Sequence, residues 1–516
     1  MSGWEASAFC AKFARMDPIR YAKLQELEKL GINPYPTEPF PPNTTAAEIL
    51  RYYPQNKLDF KSVRLAGRLW RKRLMGKASF AVLRDESGDI QLYFQRDEFA
   101  ERPELYDVVF KKLLDLGDVI GVEGFVFTTK TGEITVHVQK FRLLAKCLHP
   151  LPVEKETEEK TYAAFTDPEL RYRMRYVDLI VHLGVREIFR RRTAIVQSIR
   201  DFFNQKGYLE VETPILQPVY GGAFARPFTT HHHALDMELF LRISNELYLK
   251  RLIVGGFTGV YEFSKDFRNE GIDRYHNPEF TQVELYVAYQ DYLWMMGLVE
   301  ELLETTVQRV LGTTKVQWGD YEIDFAAPYV RVRYYEAIER VVGVDVRQLS
   351  EAELLRLLAE RGIPQPEPPF ERIDLISQLF DKAVEPTLIA PTFVMDYPIE
   401  LSPLAKVHRA DPTLTERFEL IVAGKELANA YSELNDPIDQ RRRLEKQAEL
   451  RAAGGLEAMP MDEDFVRALE YGMPPTAGLG LGIDRLAMLL CDVHSIQEVL
   501  LFPLLRPERE EHSHRT

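Results

Sequence analysis

Between residues 63 and 138 apolar and polar residues alternate in five short runs: Val63–Trp70, Phe80–Arg84, Ile90–Gln95, Val119–Phe127 and Ile134–Val138. A period of two belongs to strands that bury one face. Glu86-Ser87-Gly88-Asp89 and Thr128–Gly132 provide turns between some of the runs. A helical pattern over Arg96–Leu116 separates the third run from the fourth. Five strands in so short a span, with one helix among them, predict a small OB-type β-barrel. Ahead of it, Tyr21–Leu30 reads as a helix closed by Gly31, and the proline-rich GINPYPTEPFPPN cannot prolong it.

Beyond the barrel the pattern changes. His149-Pro150-Leu151-Pro152 and the charged run Glu154–Lys160 read as a linker, and RYRMRYVDLI as a cationic helix that is solvated or touches another domain. Val185, Ile188, Phe189, Ile195, Ile199, Phe202 and Phe203 recur at helical spacing, and this long amphipathic helix stops near Gly207. YLEVETPIL then reads as a strand that meets Pro214. Two antiparallel strands joined by a long loop are expected over residues 260–289, a helix over 291–311, and a helical stretch broken by IPQPEPPF from about 330 to 385. PTFVMDYPIELSPLAK resumes strand-like spacing. The chain thus divides into a helical extension (1–56), the barrel (57–150), a linker (151–180) and a larger domain (181–516) with a helical insertion at about 330–390.

Composition narrows the class. The 516 residues are 45% apolar and 28% charged, enough for two or three domains with their own cores. No apolar run approaches the roughly 18 residues of a membrane span, so no membrane partner is expected. MSGWEASAFCAKFARMDP has no signal-peptide layout. Cys10, Cys147 and Cys491 are too few and too scattered for a disulfide framework or a thiolate zinc site, which fits a reducing cytoplasm. The formal charge is −14, yet Lys57–Phe80 holds eight Lys or Arg against one Asp. A basic stretch at the start of the barrel tilts it toward RNA, since such barrels stack unpaired bases on aromatics along a basic groove. A purely structural or dimerising barrel is the other reading.

Three stretches carry candidate chemistry. The first is YEFSKDFRNEGIDRYHNPEFTQVELY, from Tyr261 to Tyr286. It sets Arg268, Glu270, Arg274 and His276 on or beside the loop, and Phe280 at the start of the second strand. A nucleotide site needs cations for phosphate and an aromatic face for the base; a solvated hairpin with a charged tip is the plainer alternative. The second stretch, RFELIVAGKELANAYSELNDP, places Glu419 and Glu426 seven residues apart, where two hard oxygen ligands can converge on Mg²⁺ or remain solvated. The third is PPTAGLGLGIDRLAMLL. Its glycines lack the spacing and context of a dinucleotide fingerprint and instead let a strand approach a ligand closely, with Arg485 following to bind phosphate or a buried carboxylate. His231, His232 and His233 are consecutive and point different ways, which disfavours one shared metal ion.

FRNEGIDRYHNPEF resembles motif 2 of the class II aminoacyl-tRNA synthetases, in the form carried by the lysine-specific members, and the likeness extends over most of the chain. The helix-strand-proline pattern around YLEVETPIL is similar to motif 1, which builds the family's dimer interface, and GLGLGIDR to motif 3. The resemblance implies an α+β fold, with the OB-type barrel followed by a catalytic domain built on an antiparallel sheet flanked by helices. It also implies ATP, L-lysine and tRNA(Lys) as substrates, Mg²⁺ and a homodimer. Arg268 would hold the α-phosphate and the substrate carboxylate, Glu270 the adenine amino group, Phe280 the ring, His276 and Arg485 the γ-phosphate, and Glu419 and Glu426 the Mg²⁺. Arg274-Tyr275-His276 departs from the family's common Arg-His order, which leaves the role of Arg274 open.

For the amino acid, the resemblance points to Gly222, Glu246, Glu284, Tyr286, Asn429, Tyr431 and Glu433. Enclosed carboxylates are costly unless they meet a cation. The ε-ammonium is therefore expected between Glu284 and Glu433, the α-ammonium on Glu246, and Tyr431 along the four-carbon stem. An aspartate-specific relative would need cations there. In the barrel, Arg73, Phe80 and Gln91 match anticodon-contacting positions. A ligase that modifies a protein, a synthetase for aspartate or asparagine, and a non-enzymatic RNA-binding module are the competing readings.

Overall fold

The computed structural model describes residues 16–507, apart from 153–154, 158–159, 163–164, 367–369 and 453–456. Cys10 and part of the expected linker lie outside the described residues. The chain forms two compact units, one running to Leu183 and rejoined by the chain from Arg506, the other spanning Gly184–Leu505.

In the first unit, strands β1 (Val63–Leu74), β2 (Ala78–Arg84), β3 (Asp89–Gln95), β4 (Val119–Thr128) and β5 (Ile134–Ala145) close into a barrel in the order β1-β2-β3-β5-β4. Alternation does the sorting. Ser79, Ala81 and Leu83 of β2, and Ile90, Leu92 and Phe94 of β3, point inward, while the residues between them stay half exposed. Phe94 stacks on Phe110 with ring centroids 3.9 Å apart. The single helix expected over Arg96–Leu116 is in fact a short turn at Arg96–Phe99 and a wide π-helix at Leu105–Leu113. Pro103 lies between them and bars its predecessor from helical geometry. The Pro18–Lys29 helix ends beside Gly31, whose φ is +70°. RYRMRYVDLI is not a solvated helix: it forms two short helices, Pro168–Arg173 and Arg175–Val181, and buried Arg175 pairs with buried Asp178 at 2.8 Å.

The second unit is built on an eight-stranded sheet. In chain order its strands are β6 (Leu209–Glu210), β7 (Gly259–Phe267), β8 (Glu279–Ala288), β9 (Val330–Arg333), β10 (Thr392–Met395), β11 (Arg417–Val422), β12 (Lys425–Ser432) and β13 (Thr476–Gly482). They lie in the order β9-β10-β11-β12-β13-β8-β7-β6. Every pairing is antiparallel except at the two edges, where β9 and β6 run parallel to their neighbours. The strand expected over YLEVETPIL shrinks to Leu209–Glu210 at one edge.

One face of this sheet is core. Val283, Leu285, Leu479, Leu481, Ala428 and Phe418 pack there against Ile195, Ile199 and Phe203 of the Leu183–Gln205 helix, and against Met295, Leu298 and Leu302 of the Tyr292–Leu311 helix. Because side chains alternate, residues one step along each strand project from the opposite face, and that face carries the chemistry. A separate apolar cluster holds the helices Tyr334–Val342, Glu351–Glu360 and Arg372–Leu379 of the insertion.

Candidate active site

Strand register lines up the polar face. Glu262, Glu284, Gly480, Asn429 and Glu419 form one row across β7, β8, β13, β12 and β11. Val260, Tyr286, Gly478, Tyr431 and Arg417 form the next. The central strand thus offers glycine at each row, and the side chains of its neighbours surround a trough with no Cβ along its floor. Above the trough is a cavity of about 380 Å³. Arg268, Glu270, His276, Phe280, Glu419, Glu426 and Arg485 line it together with Gly222, Glu246, Glu284, Tyr286, Asn429 and Tyr431. Of the residues given a role at this site by the resemblance, Glu433 is missing from the wall. It is buried at the floor of the trough, its Oε1, without a hydrogen-bond partner, filling the space that a Cβ on Gly478 would take and its other oxygen in contact with Lys250 Nζ. Arg274 is not on the wall either.

At one end the groups are cationic and aromatic. Arg268 lies just past β7, its guanidinium carbon 5.0 Å from the centroid of the Phe280 ring, and its buried Nε has no partner. His276 Nδ1 is 2.8 Å from Asp273, which fixes the ring so that Nε2 accepts from Arg485 Nη2 at 3.3 Å. Arg485 belongs to the Ile483–Cys491 helix, and it also donates to the Glu426 carbonyl oxygen at 2.5 Å. Asp484 beside it accepts the Thr281 N–H at 2.7 Å and so pins the helix to β8. Glu419 accepts from Tyr397 Oη at 2.9 Å and from Arg417 at 2.6 Å. Burial, with Glu426 and Asp381 nearby, pushes its carboxyl up to about 7 against the pull of Arg417. Two carboxylates that repel each other on adjacent strands are a donor set that a hard divalent cation relieves.

The other end is acidic and enclosed. Glu284 is buried, and accepts from Ser244 Oγ at 3.0 Å, Gln282 Nε2 at 2.7 Å and Tyr286 Oη at 3.0 Å. Burial, then the charges of Asp266 and Glu246, push its carboxyl up to about 8. Glu246 opens the Glu246–Val254 helix and accepts from Tyr431 Oη at 2.6 Å. Gly222, at φ +89°, packs so tightly on this corner that a Cβ would meet Ser244 Oγ at 2.7 Å. Lys250 and Arg417 do not stand out in the sequence. RISNELYLKRL does contain the spacing that puts Lys250 one turn after Glu246, but such pairs usually lie in solvent. Arg417 alternates with Glu419 on one strand face.

The cavity joins phosphate-binding cations and an aromatic platform at one end to paired carboxylates at the other. Residues 167–506 match the family model described as tRNA synthetases class II (D, K and N). The chain belongs to the class II tRNA synthetases. Residues 63–144 of the synthetase match the OB-fold nucleic acid binding domain. Its curated relatives include a protein named Lysine--tRNA ligase from Porphyromonas gingivalis, 54% identical over 96% of this chain and 86% of that protein. Others of that name are from Azobacteroides pseudotrichonymphae (53% identical; 95% and 98% covered) and Christiangramia forsetii (53%; 97% and 88%).

On the synthetase's barrel, Arg73 faces Phe80 across β1 and β2, and Phe80 faces Tyr93 across β2 and β3. Gln91, two residues before Tyr93, points the same way and donates to Thr135 Oγ1 at 2.8 Å. Tyr93 lies 5.3 Å from Phe80, 5.2 Å from His137 and 5.8 Å from Phe127 between ring centroids. The sequence reading names Phe80 but not these three neighbours. The histidine run lies in a hairpin, with His231 3.1 Å from Asp236 and His232 accepting the Leu235 N–H. Among the described residues no group of three or more His, Cys, Asp or Glu is placed to hold a metal ion.

Proposed function

We propose that this synthetase is a lysine–tRNA ligase. The observation that carries the reading is the buried, acidic end of the cavity, where Glu246 and Glu284 line the same space, while Arg417 on the wall is already bound to Glu419 and Asn429, and Arg268 and Arg485 belong to the cationic end. Charged side chains so enclosed call for ammonium groups. The relatives' name agrees. An aspartate or asparagine enzyme, also within the matched family, would need a free cation there, and the nearest one, Lys250, is spoken for by Glu246 and Glu433.

In this reading the lysine carboxylate attacks the α-phosphorus of ATP. The new phosphorus–oxygen bond forms as the bridge to the β-phosphate breaks, and pyrophosphate leaves. A terminal tRNA hydroxyl then attacks the carbonyl carbon, and AMP leaves. The protein supplies position and charge rather than a covalent nucleophile. Arg268 makes bidentate contact with the α-phosphate and substrate carboxylate, which a lysine could not. Phe280 stacks on the adenine and Glu270 accepts from its amino group. His276 and Arg485, already in contact, take the γ-phosphate. Glu246 takes the α-ammonium, Gly222, Tyr286, Asn429 and Tyr431 enclose the stem, and Glu284 and Glu433 take the ε-ammonium. Glu419 and Glu426 would hold Mg²⁺, which when bound neutralises charge on the phosphates.

Arg73, Phe80 and Gln91 are assigned to the anticodon, with Tyr93 extending the stacking surface. A homodimer is supported by exposed Leu209, Ile215 and Leu216, at 47%, 44% and 47% of full exposure, just after the Leu183–Gln205 helix. Among the described residues no helix is long and apolar enough to cross a membrane, and the scattered cysteines fit the cytoplasm. ATP–pyrophosphate exchange with each amino acid in turn tests the central claim: lysine alone should support exchange, and exchange with aspartate or asparagine instead would overturn it.

A further inference from the structure

Lys250 is fully buried, yet it is not part of the hydrophobic packing that surrounds it. Its Nζ lies 2.5 Å from Glu246 Oε1 and in contact with Glu433, and it sits over the faces of Tyr431 (5.5 Å) and Phe465 (5.9 Å). The two carboxylates hold its proton against burial. Glu246 faces the cavity with the same carboxyl group that Lys250 binds, and Glu433 keeps one oxygen unpartnered against Gly478 and the Tyr286 ring. Three carboxylates, Glu246, Glu284 and Glu433, therefore surround the amino-acid end with one resident ammonium, while Asp266, whose charge also reaches Glu284, is paired with Arg242 and lies near Arg268. Once lysine displaces the proton held on Glu284, the remaining charge of two is what its α- and ε-ammonium groups together neutralise.

We propose that Lys250 is a specificity-determining positioning residue, an internal counter-ion that sets the charge of the amino-acid pocket to that of a diammonium ligand and holds Glu433 in place from behind. This rests on the lysine reading above. A lysine at this position would otherwise be an expensive way to fill space, since an apolar side chain of the same length packs there without desolvating a charge. The arrangement also explains why Glu433 is absent from the cavity wall: Lys250 draws one of its oxygens back and leaves the other to face the substrate side.

The test is a double-mutant cycle on the full-length enzyme, read by lysine-dependent ATP–pyrophosphate exchange. Lys250→Met keeps the stem and removes the charge. It should raise the lysine KM roughly 10²–10³-fold, the penalty of stranding buried carboxylates, with the ATP KM unchanged within about twofold. Glu433→Gln alone leaves the pocket one charge short and should also raise the lysine KM. In the Glu433→Gln background, Lys250→Met restores the residual charge of two, so the double variant should be no worse than Glu433→Gln within about threefold. If Lys250→Met costs the same factor in both backgrounds, Lys250 is packing and the proposal is wrong. Should Lys250→Met fail to fold, a double variant that folds and matches Glu433→Gln supports the counter-ion role, and one that also fails overturns it. Failure of the lysine reading itself would look different: the wild-type enzyme would show no lysine-dependent exchange.

Discussion

Replacing Gly480 by alanine adds a methyl group to the floor of the trough, in the row that joins Glu284 to Asn429. Built on the observed backbone, that Cβ meets the Asn429 carbonyl oxygen at 3.9 Å, and Gln282 Oε1 and Glu284 Cγ at 4.0 Å. These are ordinary contacts, so nothing in the protein has to move. Glycine inside a strand also costs about 0.5–1 kcal/mol relative to alanine, which makes Gly480→Ala neutral or slightly stabilising. Two positions earlier the same change is severe. A Cβ on Gly478 would sit 1.9 Å from Glu433 Oε1 and 2.7 Å from Tyr286 Cε1. Glu433 is buried and engaged by Lys250, so this overpacking should cost roughly 1–3 kcal/mol. Melting curves together with lysine-dependent pyrophosphate exchange separate the two variants. Gly480→Ala should keep the wild-type Tm but lose on the order of 10²-fold in kcat/KM, the penalty for displacing reacting groups by about 1 Å. Gly478→Ala should melt lower. Wild-type exchange by Gly480→Ala would mean that no substrate crosses this floor, and a Tm as low as that of Gly478→Ala would mean that the open space above Gly480 had been misread.

Three further outcomes are expected. Arg268→Ala should lose roughly 10²–10³-fold in pyrophosphate exchange with an unchanged Tm, as when one charge-stabilising donor is removed; near-normal exchange would remove Arg268 from the α-phosphate. Because Glu284, facing Asp266 and Glu246, is pushed up to about 8, the empty pocket holds a proton at neutral pH that an incoming ammonium must displace. The lysine KM at saturating ATP should thus fall as pH rises from 6 to 8, by up to about tenfold per unit, and level off above; a flat profile would show that Glu284 is already ionised. Phe80→Ala should weaken tRNA charging by roughly 5- to 150-fold, the worth of one stacked base, and leave pyrophosphate exchange intact; equal losses in both would make Phe80 a packing residue.

What the sequence reveals follows the range of the interactions involved. The barrel strands can be read because Ala78–Arg84 and Asp89–Gln95 alternate without interruption, a pattern set by each residue's own strand. The hairpin Lys315–Trp318 and Tyr321–Asp324, which the periodicity reading passes over, does have its signal in Gly319-Asp320 between two short alternating runs. Its four-residue strands are too brief to stand out. Site residues on the loop from Arg268 to Phe280 can be read because they are consecutive. The stacking surface on the barrel is only partly legible: Phe80 and Gln91 lie close in sequence, whereas Phe127 and His137 arrive from β4 and β5, brought to Tyr93 by closure of the barrel.

The acidic pocket is the hardest case, and the reason is electrostatic. Glu246 and Lys250 have the spacing of a surface helix pair, and only the sheet's register shows that this helix presents them to Tyr431 and Glu433 instead of to water. Burial then reverses what each charge means. In solvent the pair would contribute a fraction of a kcal/mol and could be exchanged freely; fully enclosed, neither partner can be removed without stranding the other. A reading of residue types places Glu433 on the substrate because a carboxylate there needs a cation. The structure supplies one such cation from the protein, and in the proposed reading what remains for the substrate is the difference between the three pocket carboxylates and that one ammonium. Specificity for a diammonium ligand belongs to that difference, a property of the assembled cluster that no single residue in the sequence carries.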